Sequence, residues 1–514
     1  MSKRFSMKMA ASPLAILAGI SLLGGCTLGP DFTSPETATP TTWFTDRPQP
    51  VATPSQPVSA PIDPSWWNLF GDPQLTGLVE RVASANLDVR LAAIRIDESR
   101  AERGIVASAQ FPQISGNASY VRQQASNRGV FTKLGKNAVA ANAANGTPGG
   151  AGAANGVQLE PFDAYQYGLD ASWELDIWGR VRRAVEASDA SVTASEEVLR
   201  GTLLSSLAEV ARDYMELRGA QLRLQIAREN LKTAKQSQQI VAQRAAGGMT
   251  TDLDVANAAA QVSTVAAEIP RIEQEEARLM NALGLLLGEP PQALRAELAT
   301  VKPVPPVPPK VPVGFPSELA RRRPDIRQAD ASLHAATADI GVAEANFYPS
   351  LTLNGSVGIQ TLKAQSLWNW NAEQYAFGPM LTLPIFEGGR LKSQLELRKA
   401  QQREAAVKYQ QTVLNAWTEV DNALTAYEAE QRRREQLMDA VRQNRRALAL
   451  AQSRYKEGVS DFIEVLEAQR AQLTTEQLLA ISTTNVSGNL VALYKALGGG
   501  WEPVLPVGTA VSGG

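Results

Sequence analysis

Few residues in this chain have the types and spacing to do chemistry. There is one Cys and one His in 514 residues. One of each cannot make a Cys/His zinc cluster, and a lone Cys forms no intrachain disulfide. A Ser-His-Asp site would have to be built around His334, which sits mid-helix, where a structural or exposed role is the simpler reading. No phosphate loop or nucleophile elbow occurs. The Cys has clearer chemistry. An apolar stretch from Ala10 to Leu23, broken by Pro13, follows Lys3, Arg4 and Lys8 and ends in Leu23-Gly24-Gly25-Cys26. That is the bacterial lipobox pattern: small residues let a peptidase approach the backbone, and the Cys sulfur takes a diacylglycerol. The stretch is short for a membrane span. Residues 1–25 are therefore expected to be a lipoprotein signal peptide, with Cys26 the lipidation site and no other cofactor. Thr27, rather than Asp, follows the Cys, which favours the outer membrane. A lipid chain adds roughly 0.8 kcal/mol per buried CH₂ to membrane affinity.

Composition narrows the classes further. Lys plus Arg is 50 and Asp plus Glu is 52, a net charge of −2. Removing residues 1–25 takes away three positive and no negative side chains, leaving −5. No overall basic field exists for nucleic acid. The run Arg321-Arg322-Arg323 before Pro324 is expected on the surface or in pairing between protomers. At 44% hydrophobic residues and a mean hydropathy of −0.18, the chain is not a bundle of many membrane helices. Abundant Ala, Leu, Gln, Glu and Arg with 6% aromatics reads as long helix.

The elements come in two copies. Residues 86–117 resemble 323–354 at an offset of 237: Asp88-Val89-Arg90 matches Asp325-Ile326-Arg327, and Phe111-Pro112 matches Tyr348-Pro349. Further on the offset is 210. Arg180 matches Arg390, Arg244…Gly248 matches Arg454…Gly458, and Leu287-Gly288 matches Leu497-Gly498. An Ala/Gly/Asn-rich loop near 126–163 absorbs most of the difference. The organisation expected is a linker over 26–62, a first repeat over 63–300, a Pro-rich extended linker over 301–317, a second repeat over 318–498 and a flexible tail over 499–514.

Each repeat reads helix, two strands, very long helix, tight turn, long helix. The strands are expected at 113–123, 165–177, 350–360 and 374–385. In 165–177, Tyr165, Tyr167, Leu169, Ala171, Trp173, Leu175 and Ile177 alternate with polar residues on the inner face, Asp170, Glu174 and Asp176 among them, which suggests a wet lumen rather than a packed core. Strands of this length, with aromatics near their ends, fit transmembrane β-strands. Residues 180–247 and 390–457 lack Pro, and each is roughly 100 Å long as a helix. Leu203, Val210, Leu217, Leu224 and Leu231 recur every seven residues, so these helices need packed partners. They turn at Gly247-Gly248 and at Gly458 and return over 251–288 and 461–497 as antiparallel coiled-coil hairpins. Pro270 is expected to kink the first return helix.

Four membrane strands cannot close a barrel, and an open edge in lipid leaves backbone groups unsatisfied. Copies must pool strands, giving about 8, 12 or 16 from two, three or four chains.

At this point the residues resemble a known family: the TolC-like outer-membrane efflux channels, in their lipoprotein branch of OprM/CusC/NodT-type outer membrane factors. The resemblance rests on the lipobox at Cys26; Trp66-Trp67-Asn68-Leu69-Phe70-Gly71-Asp72-Pro73; Arg322-Arg323-Pro324-Asp325-Ile326; Phe347-Tyr348-Pro349; Phe386-Glu387-Gly388-Gly389-Arg390; and Arg454-Tyr455-Lys456-Glu457-Gly458. With the repeat, these cover about residues 60–510. The resemblance implies a mostly α fold with membrane β. It implies a homotrimer, with four strands per chain making a 12-stranded outer-membrane barrel that continues as an antiparallel coiled-coil periplasmic tunnel. Such a channel is the passive exit duct of a tripartite efflux pump and performs no chemistry. Its partners would be a periplasmic adaptor, an inner-membrane transporter of the proton-driven RND type and outer-membrane lipid.

The same resemblance assigns the hairpin tips. Asp254 falls on a gate aspartate and Tyr455 on its tyrosine partner. Glu464 and Glu467 fall where the pattern has two aspartates one turn apart. Their i,i+3 spacing puts both on one helix face, and three chains would make rings of carboxylates that favour cations. Ser460 stands where the pattern has an arginine, and Asp252 and Asp461, nearer the turns, are candidate substitutes. Gly247, Gly248, Met249, Thr250, Gly458, Val459 and Ser460 are the expected adaptor contacts. Two other readings are a type I secretion duct and a lipid-anchored periplasmic coiled-coil scaffold. The sequence names no cargo.

Overall fold

The computed structural model describes residues 27–36, 43, 54–124 and 161–502. The signal segment, Cys26, most of the 126–163 loop and residues 503–514 lie outside the described residues. Six strands run in chain order: β1 (Gln56–Val58), β2 (Gln113–Gln123), β3 (Phe162–Leu175), β4 (Lys310–Pro312), β5 (Ser350–Thr361) and β6 (Glu373–Thr382). The helices are α1 (Pro73–Ala85), α2 (Leu87–Ala107), α3 (Arg180–Ala246), α4 (Asp252–Leu286), the short α5 (Arg295–Leu298) and α6 (Leu319–Arg322), α7 (Pro324–Ala345), α8 (Arg390–Lys456) and α9 (Phe462–Ala496). The long helices α3 and α8 have 67 residues each, and α4 and α9 have 35 each. Duplication thus fixed helix length to the residue. The chain divides into two compact units.

The first unit holds the sheet. Its order is β2-β3-β5-β6, antiparallel throughout. Register puts Leu169 opposite Val357, and Val357 opposite Tyr375, on one face. Asp170 opposes Ser115 and Ser356 on the other. One face is thus apolar and one polar, and on the apolar side Ile114, Tyr120, Leu169, Val357, Tyr375 and Phe377 stay exposed in the single chain. Apolar-out, polar-in strands are what a wet-lumened membrane barrel needs.

Two strand ends differ from the sequence expectation. β3 stops at Leu175 because Asp176 accepts the Val181 and Arg182 N–H groups, at 3.0 and 2.8 Å, at the start of α3. Glu174 forms a two-pronged pair with Arg180, at 2.9 and 2.6 Å. Asp176 is therefore a helix cap rather than a lumen residue. β6 stops at Thr382, just before Leu383 and Pro384.

The segment after Cys26 is not a free linker. Leu28 N–H donates to Trp178 O at 3.2 Å. The buried Arg183 donates to Leu28 O at 3.0 Å and pairs with Asp31 at 2.7 Å. Gly29 has φ +89°, and a Cβ there would lie 2.4 Å from Gly341 Cα, so only glycine fits.

The second unit holds the main core, where Trp66 stacks on Tyr494 at 5.4 Å. The helix expected at the start of the first repeat is two, α1 and α2, because Asn86 accepts the Asp88 and Val89 N–H groups and restarts the helix. The Pro-rich segment 301–317 belongs to this core. β4 pairs in parallel with β1, Val311 and Val313 are buried, and Ser487 Oγ donates to Pro305 O at 2.8 Å. Tyr427 donates to Ser55 at 2.7 Å, and burial pushes its hydroxyl up to about 12.

The tail expected from residue 499 is packed as far as Glu502. Trp501 is buried, flanked by the guanidiniums of Arg200 and Arg327 at 5.3 and 5.4 Å. Arg327 also pairs with the buried Glu197 at 2.6 Å. Burial pushes the Glu197 carboxyl above the usual range, against the pull of Arg327 and Arg200. Of the basic run, Arg321 is exposed, but Arg322 and Arg323 turn inward. Arg323 is 7% exposed and pairs with Asp325 and Glu419, both at 2.7 Å. Arg322 pairs with Glu502 at 3.2 Å. Their charges are used within one chain because Arg presents enough donors to bind carboxylates and backbone carbonyls together. α4 continues as one helix through Pro270.

Candidate functional site

The hairpin tips lie in the second unit. Each long helix ends the same way. Gly248 has φ +70°, with Gly248 N–H bonded to Ala245 O (2.9 Å) and Met249 N–H to Arg244 O (2.9 Å). Gly458 has φ +77°, with Gly458 N–H bonded to Tyr455 O (3.1 Å) and Val459 N–H to Arg454 O (3.0 Å). This is the Schellman arrangement, in which a left-handed glycine lets two further N–H groups satisfy the last carbonyls of the helix. Both turns then project apolar side chains: Met249 and Leu253 at the first, Val459 and Ile463 at the second, all exposed.

The return helices start differently. Thr251 caps α4 in a reciprocal capping box with Asp254. Asp254 Oδ2 accepts from Thr250 Oγ1 at 2.5 Å and from Thr251 Oγ1 at 3.2 Å. Asp461 is the N-cap of α9, but its side chain makes no cap bond. Asp252 is the first residue of α4 and is exposed. A carboxylate there suits the helix dipole.

Below the turns, the two hairpins of one chain share a small apolar core that includes Val241, Ala258, Leu448, Tyr455, Phe462 and Leu466. Tyr455 is 5% exposed and its ring lies 5.5 Å from that of Phe462. Gln469 donates to Ser237 at 2.6 Å, and Arg470 to Gln261 at 3.1 Å. Each bond joins the second hairpin to the first.

The expected polar lock between Asp254 and Tyr455 is absent within the chain. The Tyr455 hydroxyl and Ser460 Oγ are buried without a hydrogen-bond partner, while Asp254 is engaged by the two threonines. Glu464 and Glu467 are exposed on the first turns of α9, and Glu464 lies 3.8 Å from Arg454. Sequence reasoning matched Arg244 to Arg454 but assigned neither a role, and it missed the exposed Leu253 and Ile463. Their repeat spacing was the available signal. Among the described residues no group of His, Cys, Asp and Glu is placed to hold a metal ion.

A two-faced antiparallel sheet with unpaired edges, joined to paired long hairpins, defines a channel-forming outer-membrane protein whose barrel is completed by further copies. The chain belongs to the outer membrane efflux protein family, whose model matches residues 78–289 and 315–499, one stretch in each repeat. The outer membrane protein OprJ of Pseudomonas aeruginosa is 32% identical over 497 residues, covering 96% of this chain and 97% of that one. The probable outer membrane lipoprotein SilC of Salmonella typhimurium is 30% identical over 492 residues, 95% of this chain and 98% of that one. Among solved structures, the outer-membrane channel OprN superposes with a TM-score of 0.81 at 34% identity, over 93% of this chain and 100% of that one. The chain is an outer-membrane efflux channel, the exit duct of a tripartite pump. It works as a trimer with a periplasmic adaptor and an inner-membrane transporter.

Proposed function

We propose that the tips are both the entrance and the docking surface of this duct. Rings of Glu464 and Glu467, three of each in the trimer, line the entrance and favour cations. Asp254, Tyr455, Asp252 and Asp461 shape the aperture around them. The turns Gly247-Gly248-Met249-Thr250 and Gly458-Val459-Ser460 meet the adaptor. The observation that supports this reading most is the matched pair of glycine turns, each presenting two exposed apolar side chains beside exposed carboxylates. Apolar groups held out on a rigid turn are costly in water unless a partner covers them. The transporter is of the proton-driven RND type. Cys26 carries the lipid, a reading supported by the lipobox and by the lipoprotein relative. The chain conducts without a catalytic step of its own, and its relatives are channel proteins.

The test is conductance. In planar bilayers, replacing both Glu464 and Glu467 by Ala should change single-channel conductance and lower cation preference. Unchanged values in both would remove the ring assignment.

A further inference from the structure

The repeat places an arginine at the same point of each tip. Arg244 and Arg454 each stand four residues before the left-handed glycine. The two are used differently. Arg454 stays within its own hairpin, 3.8 Å from Glu464. Arg244 leaves Asp254 to the threonines and crosses to the other hairpin. Its guanidinium lies over the Tyr455 ring, 4.6 Å from the centroid. Its Nη1 donates to Tyr455 O and, at 3.4 Å, to Lys456 O.

Those carbonyls belong to the last turn of α8, where the helix itself offers too few donors and its dipole favours a cation. Charge-assisted bonds to such carbonyls are among the stronger hydrogen bonds. Tyr455 is held through its ring and its main chain, and its hydroxyl has no partner. From Tyr455 the contact passes to Phe462, the first residue of α9, two residues before Glu464. No described bond runs the other way, from Arg454 to the first turn.

We propose that Arg244 is the clasp that fixes the tip of the second hairpin against the first within one protomer, and so positions the entrance that Glu464 lines. This rests on the reading of the tips as the channel entrance. Arg244 is a positioning residue: it acts through Tyr455 and Phe462. Its release frees the start of α9 without unfolding either hairpin.

The test uses the purified full-length trimer in planar bilayers, with heat-sensitive migration on SDS gels as the check on assembly. Arg244→Ala removes stacking and donors. Arg244→Met keeps an apolar stem on the tyrosine ring but loses every donor, and it decides the matter if the Ala variant does not assemble. Tyr455→Phe removes only the unbonded hydroxyl. The expected result is a roughly tenfold rise in open probability for either Arg244 variant, the effect of losing one charge-assisted hydrogen bond, and a smaller rise for Tyr455→Phe than for Arg244→Met. An assembled Arg244→Met trimer with parental open probability overturns the proposal. So does a Tyr455→Phe channel that opens as much as Arg244→Met, because the hydroxyl would then carry the lock. The paired Glu464 and Glu467 variants separate this failure from that of the entrance reading. If they leave conductance and ion preference unchanged, the entrance reading has failed. If they shift it while Arg244→Met does not, only the clasp has failed.

Discussion

The two hairpin tips began as one sequence and have divided the work. Both keep the left-handed glycine, the paired turn bonds, the arginine four residues before the glycine and two exposed apolar side chains. The first tip is self-contained: Thr250, Thr251 and Asp254 satisfy one another and lock the start of α4. The second is held from outside. Asp461 caps nothing, Ser460 Oγ has no partner, and the end of α8 leans on Arg244 of the first hairpin. A capped helix start is stable by itself, whereas one that depends on a neighbour moves when the neighbour lets go. The lesson is that a duplicated element becomes a movable part by losing local bonds and borrowing distant ones.

Four substitutions would break or sharpen that contrast. The largest effect belongs to Tyr455, whose repeat mate is Ala245. Truncating Tyr455→Ala in the shared core should cost about 3 kcal/mol locally. Amide exchange at 462–466 should then accelerate by about a hundredfold while 252–256 holds. Equal acceleration at both tips would mean they are one cooperative unit. Next, Thr251→Ala removes a real cap and should cost about 1 kcal/mol at the start of α4. Asp461→Ala should leave exchange at α9 nearly unchanged, and a comparable loss there would erase the difference in capping. The smallest is Glu464→Gln. Its contact with Arg454 is long and solvent-exposed, so it should change stability by less than about 0.5 kcal/mol. A larger drop in the thermal midpoint of the trimer would show that Arg454 clasps its own hairpin as firmly as Arg244 clasps its neighbour.

Much of the fold was legible because local pattern sets local structure. Alternation over 165–177 marks β3, and 67 helical residues without Pro need only a heptad and a glycine stop. Motif and repeat together placed Glu464 and Glu467 on one face. Other features were hidden. Nothing in Thr27–Asp31 announces that it docks on Arg183 and Gly341, because that contact joins residues more than 150 apart. Prolines 303–316 read as a spacer until β4 is seen beside β1. Trp501 reads as tail until two guanidiniums are found around it. Asp176 reads as a lumen acid by parity, although a helix start takes it for capping.

The sequence by itself determined the two-copy plan, the extent of the long helices, the turns and the demand for further copies. These follow from periodicity, glycine stereochemistry and the cost of an open sheet edge, all of which act along the chain. Only the tertiary structure decided which of two equivalent arginines crosses between hairpins. That choice depends on where Tyr455 and the end of α8 lie relative to Arg244, a geometry set by the packing of four helices and written in no single stretch of residues.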